Sequence, residues 1–315
     1  MRKVGLIDIG SNTCKLLIAG FCSSSSNKYL EVFYQTSRPC RLFELSLLQQ
    51  NQIGDLAINR LLFCLEEFLE ICDNHSVHQI RTVGTEALRK AFNSLSIITK
   101  IEKRTGLEVE ILSGNQEAKA IAQGLQTDPL FKMGTEYIAL DIGGGSTELI
   151  EVKDNQVNQV NSLPIGAARV AYSTSDDLHS KISFNHQKKA RKYARRILES
   201  ELQLFSSKHE QLAATGGIIV FLRKILEKEE KILSTGQIER TCLEEMIERT
   251  CSISMEQRIK QYPDLPADRA DIFPFGLMVV SEIMNFLKAS TLAHSYHNLR
   301  YGLAQEFLSS KNEIN

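Results

Sequence analysis

The chain has 315 residues, too many for one small core and enough for two domains of ordinary size. Its composition, 43% hydrophobic and 24% charged, is that of a soluble globular protein, and a formal net charge of −1 offers nucleic acid no general basic field. The seven cysteines include no CxxC pair or zinc-like Cys/His spacing, and no window reaches the roughly 18 apolar residues of a membrane span. We therefore expect a cytoplasmic protein with reduced thiols, with neither a membrane nor a nucleic acid as partner.

A hairpin is the first predicted element. Residues 3–10 and 15–22 read as two strands around the turn Asp8-Ile-Gly-Ser-Asn-Thr13, and a flexible loop at 23–28 leads to a third strand at 29–36. Successive antiparallel strands are not a dinucleotide-binding pattern, and this turn lacks the glycines of GxGxxG.

A helix follows, because apolar residues recur at helical spacing over 49–73. A short strand at 79–83 then enters a helix over 84–91, with Thr85 as the candidate cap. Arg89, one turn into this helix, could turn its guanidinium toward an anion at the helix start. Its spacing alone favours a solvated surface position.

A further helix at 94–105 and a strand at 109–112 precede Ser113-Gly-Asn-Gln-Glu117, which opens a helix reaching about 127. Glu117 has two interpretations. It is either a general base or a glutamate at a helix start, favoured by the helix dipole and by a capping box with Ser113 or Gly114 nearby. Its position does not separate them.

The segment 128–134 has the composition of a linker, and after it the run Tyr137–Val152 reads as strand, turn and strand. Its turn, Asp141-Ile-Gly-Gly-Gly-Ser-Thr-Glu148, lets consecutive N–H groups converge on an anion such as phosphate, and Asp141 could hold a cation against that phosphate. A hairpin turn that merely needs positive φ is the alternative. Because Asp8–Thr13 repeats this pattern, we expect two related domains that grip one phosphate across a cleft.

The rest of the chain adds two glycine-bearing turns. A strand at 157–162 leads into Leu163–Arg169, whose small residues suggest a backbone passing close to a ligand, and 211–215 is a strand that ends in Thr-Gly-Gly217. Helices are predicted at 185–205, with a basic face that we expect to be solvated, at 237–251, at 254–261 and through 287. His294 and His297 have no nearby carboxylate or cysteine, which argues against a metal site.

Several of these segments together resemble one family, the exopolyphosphatase/guanosine pentaphosphate phosphohydrolases. They are Asp8–Thr13, Gly84–Arg89, Ser113–Glu117, Asp141–Glu148, Leu163–Arg169, Ala214–Gly217, Arg269–Asp271 and Leu299–Leu303. The resemblance implies an α/β fold with two ribonuclease-H-like domains of the actin, Hsp70 and sugar-kinase superfold and an interdomain cleft. We place these domains at 1–128 and 135–302, and the final helix, at about 303–312, could pack back on the first.

The same resemblance implies removal of a terminal phosphoryl group from polyphosphate or guanosine pentaphosphate, with Mg²⁺ or another divalent cation. Glu117 matches the glutamate that activates water, and Asp141 and Glu148 match acidic catalytic residues. Asp8, Asp141 and Glu148 are the expected metal ligands. The expected phosphate-binding residues are Ser11, Asn12, Thr13, Arg89, Gly143, Gly144, Gly145, Ser146, Gly216 and Gly217.

Three positions depart from the family pattern: Gln116 stands for a glutamate, Gly84-Thr-Glu86 for Ala-Thr-Ser, and Tyr301 for the glutamate of Leu-Arg-Glu-Gly. The chain also ends before the C-terminal helical domain of the longer members, which puts a preference for long polyphosphate in doubt. Two other functions stay open, an ATP-dependent kinase or ATPase of the same superfold and a guanosine tetraphosphate binder without activity. A homodimer is also an open alternative.

Overall fold

The computed structural model describes residues 3–24, 27–43, 50–77, 79–129, 131, 134, 136–202, 211–232 and 237–310. For 22–24, 27–29 and 310 only the backbone is described. The chain forms two compact units, one of Met1–Asp128 with His297–Asn315 and the other of Pro129–Tyr296. The chain thus returns to the first unit at 297, earlier than the sequence-based boundary at about 303.

The first unit is built on a five-stranded sheet in the order β3-β2-β1-β4-β5. Its strands are β1 (Lys3–Ile9), β2 (Thr13–Ser24), β3 (Asn27–Pro39), β4 (Gln79–Gly84) and β5 (Val109–Ile111). The first three are antiparallel neighbours, whereas β4 runs parallel to both β1 and β5. Six of the seven residues of β1 are buried, as expected of a central strand covered on both faces.

In the described part of this unit, four helices follow the strands: α1 (Asp55–Asn74), α2 (Glu86–Lys90), α3 (Ser94–Thr105) and α4 (Gly114–Gln126). In α1 the residues that made its apolar spacing, such as Leu61, Leu65 and Phe68, are buried. The predicted start of this helix at 49 lies outside the described residues. The predicted loop at 23–28 is too wide, since strand geometry reaches Ser24 and resumes at Asn27, with 25–26 outside the described residues.

The second unit has a six-stranded sheet in the order β10-β11-β9-β6-β7-β8. Its strands are β6 (Tyr137–Ile142), β7 (Thr147–Lys153), β8 (Gln156–Leu163), β9 (Gln211–Thr215), β10 (Gln237–Glu239) and β11 (Thr291–His294). As in the first unit, three antiparallel strands come first, and β9 then pairs with β6 in parallel. The repeated sequence motif therefore lies in a repeated strand topology.

Among the residues of this unit that the structure describes there are six helices: α5 (Ala167–Thr174), α6 (Phe184–Glu201), α7 (Gly217–Lys228), α8 (Arg240–Cys251), α9 (Met255–Gln261) and α10 (Phe273–Leu287). The apolar helix α10 is confirmed as core, with all but two of its residues buried. The basic face of α6 is not simply solvated, because Arg191 and Arg195 both pair with the buried Glu282. The predicted end of α6 at 205 lies outside the described residues.

The two short strands β10 and β11 correct the prediction. The sequence predicts a helix over 237–251, but residues 237–239 pair antiparallel with 291–293. Only Ile238 of β10 is buried, so the strand is too short to show an alternating pattern.

The last helix, α11 (Leu299–Ser310), packs on α4 of the first unit through glycines. A Cβ on Gly302 would overlap with the carbonyl of Ala120, and a Cβ on Gly124 would overlap with that of Asn298. The two helix backbones therefore touch. None of the described helices is long and apolar enough to cross a membrane.

Candidate active site

The turn between β1 and β2 is held by a segment that the sequence analysis did not single out. The carbonyls of Ser11 and Asn12 accept three backbone N–H groups, from Phe43 at 2.8 Å, Cys40 at 3.0 Å and Arg41 at 2.9 Å. In a trans peptide the C=O and the next N–H point in opposite directions. The N–H groups of Asn12 and Thr13 are therefore directed away from 40–43.

The side chains of this turn are buried and polar. Asn12 is 5% exposed, and its Nδ2 atom is buried without a hydrogen-bond partner among the described residues. Ser11 donates its hydroxyl to Glu86 Oε2 at 3.4 Å, and Glu86 is itself buried. Because a buried donor without a partner is costly, the amide of Asn12 is a candidate contact for a ligand.

Asp8, at the end of β1, lies near two cations. Lys15 Nζ is 3.5 Å from Asp8 Oδ2. Arg300 of α11 is buried and donates Nη1 to Leu16 O at 2.8 Å; burial lowers the pKa of Arg300, while the charge of Asp8 opposes that shift. The resemblance included the segment around Arg300 but gave this residue no role, since only the fold brings 300 next to β1.

Arg89 and Glu117 are brought together. Arg89 Nη1 donates to Leu112 O at 2.6 Å and lies 3.2 Å from Glu117 Oε2. The arginine side chain is 22% exposed, so the interpretation of a solvated surface residue is wrong. Thr85, the candidate cap of α2, makes no side-chain cap and instead donates its hydroxyl to Ile9 O at 3.4 Å.

The start of α4 removes the capping interpretation of Glu117. Ser113 caps the helix and forms a capping box with Gln116, whose Oε1 accepts the Ser113 N–H at 2.8 Å. The partner in the box is therefore the residue before Glu117. Glu117 is 7% exposed and pairs with Arg89 instead.

In the second unit, polar residues form a row across four strands. Asp141 of β6 is directly opposite Glu148 of β7 and Thr215 of β9, and Glu148 is opposite Ser162 of β8. Opposed residues project from the same face of a sheet. Glu148 Oε1 accepts hydroxyls from Ser146 at 2.8 Å and Ser162 at 2.9 Å, so both serines orient a buried carboxylate.

The start of α5 holds the glycine loop 143–146. The bonds run from Gly166 N to Gly145 O at 3.1 Å, from Ala167 N to Gly143 O at 3.0 Å, and from Ala168 N and Arg169 N to Gly144 O at 2.8 and 3.0 Å. Arg169 Nε also donates to Gly145 O at 2.8 Å. The backbone of 166–169 thus lies against the loop, and the closeness of Leu163–Arg169 to a ligand stays a prediction.

These bonds fix where the loop's own N–H groups point. With three consecutive carbonyls directed at α5, the N–H groups of Gly144, Gly145 and Ser146 point the opposite way. None of the three has a hydrogen-bond partner among the described residues. Such a run of convergent N–H groups is an anion-binding concavity.

The turn from β9 into α7 is close to Asp141. Gly216 has φ of +101°, and a Cβ there would be 2.7 Å from Asp141 Oδ1. A Cβ on Gly217 would be 3.1 Å from Arg269 Nη1. A side chain at 216 would therefore clash with its neighbours, whereas at 217 the Arg269 side chain would have to shift slightly. Phosphate binding by both glycines stays a prediction. Thr215 Oγ1, next to them, is buried without a partner in the described part of the chain.

The expected metal ligands lie in both units. Asp8 belongs to the first and pairs with Lys15, whereas Asp141 and Glu148 share one face of the second. Among the described residues no group of three or more His, Cys, Asp or Glu could hold a metal. Mg²⁺ usually takes only one or two carboxylates besides water and substrate oxygens, so the pair Asp141 and Glu148 fits it.

Comparison with known proteins bears on the family and the fold of this chain. The model of the Ppx/GppA phosphatase family matches residues 22–311. A guanosine-5′-triphosphate,3′-diphosphate pyrophosphatase of Photobacterium profundum is 25% identical over 313 residues, covering 96% of this chain and 59% of that protein. The chain thus spans 59% of the length of this curated relative.

Two solved structures share the fold. An exopolyphosphatase from Cytophaga hutchinsonii has a TM-score of 0.86 at 21% identity and covers 98% of both chains. The Aquifex aeolicus PPX-GPPA enzyme has a TM-score of 0.75 at 22% identity, with 98% of this chain and 99% of that chain covered. The expected α/β fold class is confirmed, because both structures share the fold of this chain over nearly its whole length.

Proposed function

The chain belongs to the Ppx/GppA phosphatase family, and from this premise we propose that it hydrolyses the terminal phosphoanhydride of inorganic polyphosphate or guanosine pentaphosphate and releases phosphate. One observation carries the proposal. The N–H groups of Gly144, Gly145 and Ser146 are fixed by α5 so that they point away from it. Three preorganised donors suit the charge that builds on phosphoryl oxygens during transfer.

Glu117 is the proposed general base that takes a proton from the attacking water. It is buried, its helix is capped by other residues, and Arg89 fixes the position of its carboxylate. In phosphoryl transfer to water, the main tasks of such a side chain are to position the water and to accept its proton. Arg89 is proposed to contact substrate phosphate as well, through guanidinium donors beyond the shared Nη1.

Asp141 and Glu148 of the second unit are the proposed carboxylate ligands of Mg²⁺, and Asp8 of the first unit stays a predicted ligand. When bound, Mg²⁺ would neutralise phosphate charge. Ser146 and Ser162 keep the Glu148 carboxylate in place by donating to the same oxygen. Without a cation, these carboxylates would repel a polyanion.

The cellular setting is proposed to be cytoplasmic. The free thiols of the six cysteines whose side chains the structure describes support this location. Polyphosphate and guanosine polyphosphate are the proposed partners, and a local arrangement of N–H donors is what would select them.

A phosphate-release assay with polyphosphate and guanosine pentaphosphate side by side tests this function. We expect release from at least one substrate with Mg²⁺, and none in excess chelator or with Asp141→Ala. Full turnover in excess chelator would show that the reaction does not require a divalent cation. Transfer of labelled γ-phosphate from ATP to an acceptor without free phosphate would show a kinase, and tight binding of guanosine tetraphosphate without turnover would show a binder.

A further inference from the structure

Tyr296 is an exposed aromatic ring that the structure holds in one orientation. The Arg223 guanidinium carbon is 5.0 Å from the ring centroid, and the His294 ring meets Tyr296 edge-on at 4.7 Å and 80°. Arg223 is in turn fixed by bonds from Nε to Glu227 Oε1 at 2.6 Å and from Nη1 to His294 O at 3.1 Å. Tyr296 nevertheless stays 40% exposed, whereas the Arg223 side chain is 19% exposed.

The backbone of Tyr296 lies at the same edge of the sheet as the phosphate loop. β9 runs parallel to β6 and to β11, so the carboxyl ends of all three strands share one edge. The bond from Ser295 N to Ala214 O, 3.0 Å, continues this register past His294. Tyr296 therefore follows directly on the edge, two strand spacings or about 10 Å from β6. Open α/β sheets bind ligands along this edge.

A hydrogen-bonding group lies between the loop and the ring. The strand between them, β9, ends at Thr215, whose Oγ1 is buried without a partner among the described residues. A ligand extending from the loop to Tyr296 would pass this hydroxyl. The edge thus offers, in order, N–H donors, a hydroxyl and a flat ring.

We propose that Tyr296 is the stacking platform for the guanine base of a guanosine polyphosphate whose terminal phosphate lies in loop 143–146. This proposal rests on the phosphohydrolase function proposed above and names its substrate class. Any nucleic-acid base can stack on an aromatic side chain, because every base has a flat π face. The tyrosine ring also provides a large contact area. Glu227 then supplies an acceptor for the N–H donors on guanine, which adenine lacks at the corresponding edge.

Charge near the ring argues against a bare polyphosphate as its occupant. Burial raises the pKa of Tyr296, the charge of Glu227 raises it further, and Arg223 opposes them, so both charges are near the ring. Arg223 already donates to Glu227 and His294. A chain of phosphates along this edge would be repelled by the carboxylate and could not stack on the aromatic ring. A guanine base can donate to the carboxylate and stack on the ring.

The test compares guanosine pentaphosphate with tripolyphosphate, which has the phosphates without the base. Tyr296→Ala should lower kcat/KM for guanosine pentaphosphate about tenfold or more and leave that for tripolyphosphate unchanged. Tyr296→Phe keeps the ring and should keep both activities. Tyr193→Ala is the matched control, since Tyr193 also has an arginine, Arg196, over its ring, at 5.9 Å.

Equal losses on both substrates, or no loss on either, would overturn the platform while leaving the phosphohydrolase intact. If the parent protein releases phosphate from neither, the proposed function fails, and calorimetric titration with GDP decides the platform. About tenfold weaker GDP binding by Tyr296→Ala, with an unchanged melting temperature, supports the platform, and equal affinities overturn it. Equal affinity of the parent protein for GDP and ADP would overturn the assignment to guanine.

Discussion

Arg89 Nη1 lies 3.2 Å from Glu117 Oε2, and the same atom donates to Leu112 O at 2.6 Å. The guanidinium is thus anchored by a backbone carbonyl while it holds the proposed base. Two residues selected separately from the sequence are in contact, although 28 positions separate them. Arg89 therefore has a positioning role toward Glu117 besides any contact with phosphate.

Arg89→Ala is expected to raise KM and lower kcat together, at a cost of about 1.5–3 kcal/mol in kcat/KM. Arg89→Lys should rescue only partly, because an ammonium lacks the planar fork that reaches two acceptors. Steady-state kinetics of Arg89→Ala, Glu117→Gln and the double variant measure the coupling. Strictly additive losses would show that the two side chains act independently.

How far the sequence predicts this site is clear from Arg89. The family motif identifies Arg89 as a candidate site residue, whereas helical spacing favours a solvated position for it. Helical spacing describes a single helix and contains no information about the elements that pack beside it. The partners Leu112 and Glu117 come from β5's end and α4. Likewise, the glycine loop was found from its residues, whereas its support by 166–169 depends on packing between separate elements.

The fold was predicted best where elements are long and periodic. The helix α1, the core helix α10 and the hairpin β6–β7 all appear near their expected positions. β10 and β11, with three and four residues, were missed because their pairing with each other and with β9, not their own pattern, makes them strands. The row of Thr215, Asp141, Glu148 and Ser162 likewise depends on the register between four strands, which cannot be read from the sequence.

Gly166→Ala is expected to disrupt the glycine loop, since a Cβ at 166 would overlap with the backbone of Gly144 and Gly145. Phosphate release per folded molecule should fall together with stability. Gly106→Ala is the control, because Gly106 has φ of +72° with nothing within 4 Å of an added Cβ. It should cost stability through backbone strain, about 1 kcal/mol, and leave the rate unchanged. A Gly166→Ala protein with the parent rate would contradict the loop's role.

Arg258→Met should strongly destabilise the second unit. Arg258 is fully buried and donates to four carbonyls, those of Thr250, Ile253, Ala270 and Ser180. Burial lowers the pKa of this arginine, and removing it would leave several buried acceptors unsatisfied, at a cost of about 3 kcal/mol or more.

Urea unfolding of Arg258→Met and of Arg104→Met provides the comparison. Arg104 pairs with Glu66 at 2.6 Å on the surface, where such pairs contribute about 1 kcal/mol or less. Similar losses in the two variants would show that the Arg258 hydrogen bonds contribute little.

His297 is expected to make stability depend on pH. Its ring stacks on Tyr301 at 3.8 Å and 16°, and its Nδ1 is 2.7 Å from Thr127 Oγ1. Burial lowers the pKa of His297 from 6.5, and Asp128 partly opposes this shift. Because the folded pKa is below the unfolded value, the unfolded chain binds the proton first, and stability falls as the pH drops below about 6.5.

Replacing His297 by Gln removes this titration while keeping a hydrogen-bonding group. The free energy of unfolding of the parent, relative to His297→Gln, should decrease between pH 7.5 and pH 5, as measured in urea at several pH values. A difference that stays constant over this range would assign the pH dependence to other groups.

Glu117→Gln separates catalysis from helix stability more sharply than the sequence allowed. The capping box of α4 uses Ser113 and Gln116, so this substitution leaves the cap intact and removes the proposed base together with the negative charge that pairs with Arg89. We expect kcat to fall by roughly 10²–10⁴ with substrate binding nearly unchanged, because the amide keeps the size but accepts no proton. Gln116→Ala is the matched control at the neighbouring position. It removes the acceptor of the Ser113 N–H, so it should lose about 0.5–1.5 kcal/mol of stability and keep its rate per folded molecule. Melting temperature and kcat measured on the same preparations distinguish a catalytic role of Glu117 from the structural role of Gln116. A Glu117→Gln protein with the turnover of the parent and a lowered melting temperature would exclude Glu117 as the base, and its pair with Arg89 would then be a structural contact.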